Sequence, residues 1–169
     1  MGYSDLVATT ISTMSLSIFG FKDPVAIDRG RDLATAFQLT NILRDIGEDI
    51  RKDRVYLPAD EMRTFGVSVE DIQSQRVMPE FRELMCFQVQ RVRKYYHRAE
   101  ALLEMVDPDV RRCTYLMGAV YYQVLERIEK EDYRVFGHRI GLTLVEKIRL
   151  VANAYVTKSP TWTTMSCQE

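Results

Sequence analysis

The stretch of residues 37–58 begins inside a predicted helix, which carries one polar line through otherwise apolar surroundings, and its residues 54–58 are expected to form a loop. At 3.6 residues per turn, four polar side chains spaced by three, four and four positions share one face: Gln38, Asn41, Asp45 and Asp49. The positions around them predict burial on nearly all sides, and they are Phe37, Leu39, Ile42, Leu43, Ile46 and Ile50. Buried carboxylates need compensation, and Mg²⁺ prefers carboxylate and amide oxygens. The polar line therefore predicts a magnesium site, and the alternative is a solvated acidic patch.

Basic residues accompany this polar line. Arg44 lies inside the helix, and Arg51, Lys52 and Arg54 follow its end. Guanidinium and ammonium groups bind phosphate through charge-assisted hydrogen bonds. A phosphate-bearing substrate beside the cation is therefore expected, with Arg44 and Arg54 as substrate-binding residues.

The rest of the chain predicts helices throughout, because apolar positions recur at three and four and no strand alternation competes. The expected fold is an all-α helical bundle, with one domain at residues 1–158 and a disordered tail at 159–169. The predicted helices are residues 3–19, the central helix from Asp23 and Pro24, a short one at Pro58, one after a Ser68–Asp71 capping box, 79–106, 109–128, and a last one after a Thr143–Glu146 capping box.

These periodicities also predict which side chains face the core. The acidic pair Asp28 and Asp32 in the central helix, interleaved with Arg29 and Arg31, is expected on a solvated face. The predicted inward positions are Phe81, Leu84, Met85, Val89, Val92, Tyr96, Ala99, Leu103 and Val106 in the first long helix, Val110, Cys113, Met117, Val120, Val124 and Ile128 in the second, and Val145, Ile148, Ala152 and Tyr155 in the last.

Composition narrows the class of protein. The chain has 169 residues, 46% of them hydrophobic, which is enough for the core of one globular domain. A net charge of −1 argues against a nucleic-acid partner. Cys86, Cys113 and Cys167 are odd in number and lack metal-ligand spacing, so neither a disulfide framework nor a zinc site is expected. The longest uncharged run, residues 6–21, is shorter than the roughly 20 residues of a membrane span. The N-terminus lacks the features of a targeting leader, so we expect either no targeting or a targeting segment that has been lost.

Two segments of the central region resemble a known family. QLTNILRDIGED (38–49) and DRVYLPADEM (53–62) are similar to the second aspartate-rich motif of the phytoene synthase and squalene synthase family, which joins two prenyl diphosphates head to head. The resemblance implies that Asn41, Asp45 and Asp49 hold Mg²⁺, with Mn²⁺ as the alternative, against a substrate diphosphate. It also implies that the two aspartates are catalytic and that Gln38 and Arg44 contact substrate.

A later region is similar to the last signature of the same family. It reads AVYYQVL at 119–125 and EDYRVFGHR at 131–139. The resemblance implies that Tyr121 and Arg139 contact diphosphate, with His138 as the alternative to Arg139. From the residues alone, Tyr121 is an aromatic at helical spacing and would be assigned to the core.

The resemblance extends over about residues 3–155 and implies the C-terminal portion of a trans-isoprenyl diphosphate synthase bundle. The family's first aspartate-rich motif is not found, so N-terminal helices are expected to be absent. The isolated chain is then expected to bind Mg²⁺ and diphosphate weakly, to form no product, and to self-associate or bind a partner through an exposed face around Phe37 and Leu39. Small family positions along the prenyl channel fall on Thr9, Ser12 and Ala34, which would shorten the accepted tails.

The function that the resemblance implies is Mg²⁺-dependent condensation of two geranylgeranyl diphosphates to phytoene in carotenoid biosynthesis. One alternative is a squalene or dehydrosqualene synthase acting on farnesyl diphosphate, with NADPH required for squalene. The other is a non-catalytic assembly or binding protein that keeps the fold. Peripheral membrane association is expected for a lipophilic product. The expected location is the plastid in a photosynthetic eukaryote, and otherwise the cytoplasm or a membrane surface.

Overall fold

The computed structural model describes residues 23–156 and residue 162. These residues form helices joined by short loops, and no strand occurs within these bounds. The all-α prediction is therefore confirmed, whereas the predicted helix at 3–19 and the positions Thr9 and Ser12 lie outside the described residues. The helices are α1 (Val25–Ile50), α2 (Ala59–Thr64), α3 (Val69–Gln73), α4 (Pro79–Ala99), α5 (Leu102–Met105), α6 (Pro108–Lys130) and α7 (Leu144–Val156).

Helix α1 is the centre of the bundle and packs most extensively against α4 and then α6. Inside this core the Thr40 hydroxyl donates to the Ala36 carbonyl at 2.7 Å, and its oxygen lies 3.1 Å from the Tyr96 hydroxyl. Phe37 and Leu39 are half-buried and pack against the core. The expectation of an exposed apolar face around these two residues is therefore wrong.

The first turns of α1 include the acidic pair that was expected on a solvated face. The Asp28 side chain is 66% exposed and meets only Arg31 among the described ion pairs, as expected. The Asp32 side chain is 16% exposed and accepts hydrogen bonds from Arg29 and from Arg98 of α4. The solvated-face interpretation is thus wrong for Asp32, because its carboxylate links α1 to the neighbouring helix.

Helix α4 presents one continuous apolar stripe to the core. Every predicted inward position from Phe81 to Val106 is buried, while Lys94 is exposed. The predicted single helix of residues 79–106 is wrong at its end, since α4 stops at Ala99 and α5 follows. There the carbonyls of Glu100 and Ala101 accept from N–H groups three residues on, at 3.1 and 3.2 Å, which tightens the turn.

Helix α6 is rotated relative to the predicted stripe. Cys113 and Met117 are exposed, so those two assignments are wrong. Val110 and Val120 are half-buried and pack against the core, and Val124 and Ile128 are buried. The buried face instead combines small and aromatic residues: Thr114, Tyr115, Gly118, Ala119, Tyr122 and Leu125. The small residues admit a large neighbour, because a Cβ at position 118 would lie 2.4 Å from the Trp162 ring.

Helix α7 begins at the predicted capping box, in which the Glu146 N–H donates to the Thr143 hydroxyl and the Glu146 carboxylate accepts from the Thr143 N–H. Its predicted inward stripe is wrong: Val145, Ile148, Ala152 and Tyr155 are exposed, and Leu150 and Ala154 are buried. An ion pair between Arg127 of α6 and Glu146 holds the helix in this orientation. The second predicted capping box, Ser68 with Asp71, is also present.

Trp162 is fully buried, and its indole Nε1 donates to the Tyr96 carbonyl at 3.2 Å. This residue departs from the prediction of a disordered tail, and the other residues of 159–169 lie outside the described ones. Cys86 and Cys113 are exposed free thiols, and Cys167 is not described. Within residues 23–156, no helix is both long and apolar enough to traverse a bilayer.

Candidate functional site

The predicted polar line lies along the second half of α1, where Gln38, Asn41, Asp45 and Asp49 are all half-buried. The Oδ1 atom of Asn41 is buried and accepts no hydrogen bond from any of the described residues. A buried carbonyl oxygen without a hydrogen bond raises the free energy of the folded state. Such an atom is a candidate to bind a cation or a hydrogen-bond donor. Asn41 therefore contributes to the polar line a neutral oxygen that is unpaired among the described residues.

Asp45, one turn further on, is fully engaged by the side chain that precedes it. Arg44 donates from Nε to Oδ1 at 2.7 Å and from Nη2 to Oδ2 at 2.8 Å, and the two side chains are only 14% and 21% exposed. Burial tends to raise the pKa of the Asp45 carboxyl, but the hydrogen bonds and charge of Arg44, aided by Arg139, hold it below its ordinary 3.8. Asp45 is thus an ionised carboxylate held by guanidinium groups.

Arg139 approaches Asp45 from the loop between α6 and α7. Its Nε lies 3.4 Å from Asp45 Oδ1 and 3.8 Å from Glu48 Oε1. His138, the alternative for this place, instead has Nε2 3.0 Å from a carboxylate oxygen of Glu131. The geometry therefore brings Arg139 to the polar line and leaves His138 away from it.

The loop that carries Arg139, residues 133–142, is anchored at several points. Asp132 and Tyr133 adopt left-handed conformations with φ of 55° and 59°, and Arg82 grips the Asp132 carboxylate with bonds of 2.8 to 3.0 Å. The Phe136 ring lies 5.2 Å from that of Phe81. These contacts turn the chain back onto α1 directly after α6 ends.

Gly47 is the point at which this loop meets α1. A Cβ at position 47 would lie 2.5 Å from the carbonyl oxygen of Val135 and 3.0 Å from the Cα of Phe136, both backbone atoms. Only glycine permits this approach without a shift, and the approach places Arg139 beside Asp45. The sequence analysis did not predict a role for Gly47, although an isolated glycine inside a strong helical pattern can indicate a close packing contact.

Asp49 ends the polar line in a different electrostatic environment. Burial, followed by the negative charge of Asp45, raises the pKa of the Asp49 carboxyl despite the nearby Lys52 and Arg54. The Arg54 N–H donates to the Asp49 carbonyl at 3.0 Å, which folds the chain after α1 back toward the carboxylate. Asp49 and Arg54 also line one small pocket with Ile42, Ile46, Val55, Tyr56, Leu57 and Ile72.

Tyr121 of α6 stacks on Phe37 of α1, with ring centroids 4.5 Å apart and planes at 27°. The pKa of Arg44 is raised mainly by its hydrogen bond to Asp45, and the electrostatic interaction with Tyr121 adds to this effect. Gln38 lies one turn before Asn41, and Ala34 is half-buried one turn before Gln38. The structure thus gathers Tyr121, Arg44 and Arg139 around the middle of the polar line.

The side chains of the polar line fit a hard cation. Over residues 23–156 no group of three or more His, Cys, Asp or Glu side chains is arranged to hold a metal. Magnesium usually takes only one or two carboxylates from the protein and completes its shell with water and substrate phosphate. Two carboxylates and one unsatisfied amide oxygen meet that smaller requirement.

A sequence model of the squalene/phytoene synthase family matches residues 1–146. The chain belongs to this family. It is a family of prenyltransferases, and the resemblance noted in the sequence is confirmed.

Several relatives that are similar in sequence to this chain are phytoene synthases. The enzyme of Arthrospira platensis is 37% identical over 178 aligned positions, which cover 98% of this chain and 52% of the relative. That of Thermus thermophilus is 37% identical over 155, covering 91% and 53%. Phytoene synthase 1 of Arabidopsis thaliana is 36% identical over 160, covering 90% and 38%. The chain therefore spans about half the length of its bacterial relatives and less of the plant one.

Solved structures show the same bundle. A dehydrosqualene synthase crystallised with a ligand has a TM-score of 0.83 over 91% of this chain and 54% of its own, at 24% identity. The squalene synthase HpnC of Alicyclobacillus acidocaldarius has a TM-score of 0.71 over 75% and 48%, at 25% identity. The isoprenyl diphosphate synthase fold expected for this family member is confirmed.

Proposed function

We propose that this chain forms the magnesium- and diphosphate-binding part of a phytoene synthase-type prenyltransferase. One observation carries the proposal: along a single face of α1, the unsatisfied Asn41 Oδ1 precedes two carboxylates, and guanidinium groups converge on the first of them. Oxygen ligands for a hard cation and forked donors for phosphate lie side by side there. That pairing suits a metal-bound diphosphate.

The residues divide the work of holding the leaving group. Asn41, Asp45 and Asp49 would hold Mg²⁺, which when bound supplies positive charge to the departing diphosphate. Arg44 and Arg139 bind diphosphate oxygens through their guanidinium forks, because phosphate offers the same paired acceptors as the carboxylate they contact here. The half-buried setting strengthens each of these interactions relative to water.

Two further groups orient the substrate. The Tyr121 ring is held against Phe37 of α1, directly before Gln38, and its hydroxyl would donate to a diphosphate oxygen. Arg54 lines the same small pocket as Asp49, and its positive charge would help to neutralise the diphosphate there. With these positive groups in place, charge that develops as the carbon–oxygen bond breaks is met without rearrangement of solvent.

Geranylgeranyl diphosphate is the proposed substrate, since the relatives above 30% identity described here are phytoene synthases. The test is extraction of products after incubation with geranylgeranyl or farnesyl diphosphate, Mg²⁺, and NADPH in half the samples. A C40 product would support the proposal. A C30 product would transfer it to a squalene or dehydrosqualene synthase. Binding of both substrates without any product is the result expected of a chain that spans about half of its relatives, and it would leave the non-catalytic binding protein as the alternative.

The metal assignment is tested separately by calorimetry with Mg²⁺ and pyrophosphate. Asp45→Asn and Asp49→Asn should each weaken joint binding about tenfold or more, equivalent to ~1.4 kcal/mol. Asp28→Asn is the matched control, because Asp28 is an exposed acid of the same helix that pairs with Arg31. Unchanged affinity in both site variants would remove Asp45 and Asp49 from the metal site.

A further inference from the structure

Asn41 and Asp45 of the polar line differ in whether their side-chain oxygens are already hydrogen-bonded. This difference bears on the order in which a cation and a diphosphate bind. Asn41 Oδ1 has no hydrogen-bond donor within the part of the chain that the structure describes, whereas both carboxylate oxygens of Asp45 accept from Arg44. Arg139 adds a third contact to Asp45 Oδ1 at 3.4 Å. The central ligand of the site is therefore already occupied by protein groups.

The grip of Arg44 on its neighbour is unusual for a helix. Side chains at adjacent positions point about 100° apart and do not face one another. Arg44 reaches Asp45 only by folding its long side chain round the helix so that Nε and Nη2 meet the two oxygens in parallel. The Arg44 side chain is only 14% exposed, so its charged end needs an anionic partner wherever it lies.

A cation that approaches Asp45 meets a guanidinium charge and must displace its bonds. A diphosphate changes that competition, because its oxygens match the guanidinium fork as well as a carboxylate does. Arg44 can then leave Asp45 without losing its partner. The Asp45 carboxylate that Arg44 has left becomes available to the cation at the same moment.

We propose an arginine exchange at this site: Arg44, assisted by Arg139, occupies Asp45 until a diphosphate arrives, then moves to the diphosphate and releases the carboxylate to the cation. The inference rests on the proposed function of the same residues. It makes cation and diphosphate binding mutually favourable through the protein, in addition to their direct contact with each other. By linkage the effect is reciprocal, so each ligand strengthens the other by the same factor.

The exchange predicts that one substitution, Arg44→Gln, changes the affinities for Mg²⁺ and for pyrophosphate in opposite directions. Arg44→Gln frees Asp45, so Mg²⁺ without pyrophosphate should bind about fivefold more tightly or better, the lower end of typical coupling factors. The same change removes a forked phosphate donor, so pyrophosphate in the presence of a chelator should bind about tenfold more weakly. Arg139→Gln should act in the same directions but less strongly, since it makes one longer contact and its side chain is 58% exposed.

The experiment measures Mg²⁺ alone and pyrophosphate alone by calorimetry on the full chain. Arg31→Gln is the control, because it removes an exposed arginine of the same helix that pairs with Asp28, and it should leave both affinities unchanged. Arg139→Gln keeps the test valid if Arg44→Gln does not fold, since the exposed Arg139 side chain can be replaced without opening the core.

The outcomes separate this inference from the function on which it rests. Tighter Mg²⁺ with weaker pyrophosphate supports the exchange. Weaker or unchanged Mg²⁺ binding in the arginine variants overturns it, and leaves the proposed function standing as long as the unmodified chain binds both ligands. Failure of the unmodified chain to bind Mg²⁺ and pyrophosphate together removes the proposed function and the exchange with it.

Discussion

Alanine at position 47 would place a methyl group where the backbone of the 133–142 loop already lies. The new Cβ would be 2.5 Å from the Val135 carbonyl oxygen. The obstacle is a backbone atom, and Val135 itself is buried, so no rotamer change relieves the overlap. Either α1 or the loop has to move by several tenths of an ångström.

Two opposing effects set the size of the change. Glycine inside a helix costs roughly 0.5–1 kcal/mol relative to alanine, so helix propensity alone favours the variant. Overpacking a close contact costs roughly 1–3 kcal/mol. We expect a net loss of about 1–2 kcal/mol for Gly47→Ala. The displaced loop also carries Arg139 away from Asp45, so pyrophosphate binding should weaken to a similar extent as in Arg139→Gln.

Urea unfolding followed by circular dichroism measures the first effect and calorimetry the second. Gly141→Ala is the matched control, because a Cβ there meets nothing within 4 Å. It lies in the same loop, and its stability should stay within about 0.5 kcal/mol of the parent. A Gly47→Ala protein as stable as the parent or more so would show that helix propensity decides, and would refute the close approach.

Two further predictions concern the core and the acidic residues. Met85→Ala should destabilise by about 2–5 kcal/mol and Lys94→Ala by less than about 0.5 kcal/mol in urea unfolding; equal effects would contradict the assigned faces of α4. Because its folded pKa is lowered, Asp45 stabilises above its unfolded pKa near 3.9, and this contribution is lost as pH falls through the lower folded value. The pKa of Asp49 is raised, so at pH 7 without metal Asp49→Asn should increase the free energy of unfolding, whereas Asp45→Asn should decrease it. The gain from Asp49→Asn should disappear in acid, where the Asp49 carboxyl is protonated in both the folded and the unfolded chain. The same sign for both at pH 7 would contradict these pKa directions.

The accuracy of the sequence predictions followed the size of the side chains. In α4 the core face consists mostly of large aliphatic and aromatic residues at steps of three and four, and its assignment is confirmed. In α6 the buried face contains Thr114, Gly118 and Ala119, which contribute little hydrophobicity, so the pattern favoured Cys113 and Met117 instead. The rotation of α6 is decided by a distant residue, Trp162. The local pattern of residues in α6 carries no information about the position of this side chain.

The site shows the same division between local and distant causes. Helical spacing alone places Asn41, Asp45 and Asp49 on one face, and the structure keeps them there as a half-buried line. The arrival of Arg139 depends on left-handed backbone at Asp132 and on the contact at Gly47, which involve tertiary packing. Only the resemblance to a family singled out Arg139, and its role as a substrate contact remains a prediction.

Trp162 gives this protein an internal optical probe. It is the single tryptophan of the chain, it is fully buried, and its ring rests on the backbone at Gly118 while its Nε1 donates to the Tyr96 carbonyl. The intrinsic indole fluorescence therefore originates from one known place, the seam between α4 and α6. An emission shift to longer wavelength would report departure of this residue from the seam, separately from the loss of helix that circular dichroism records.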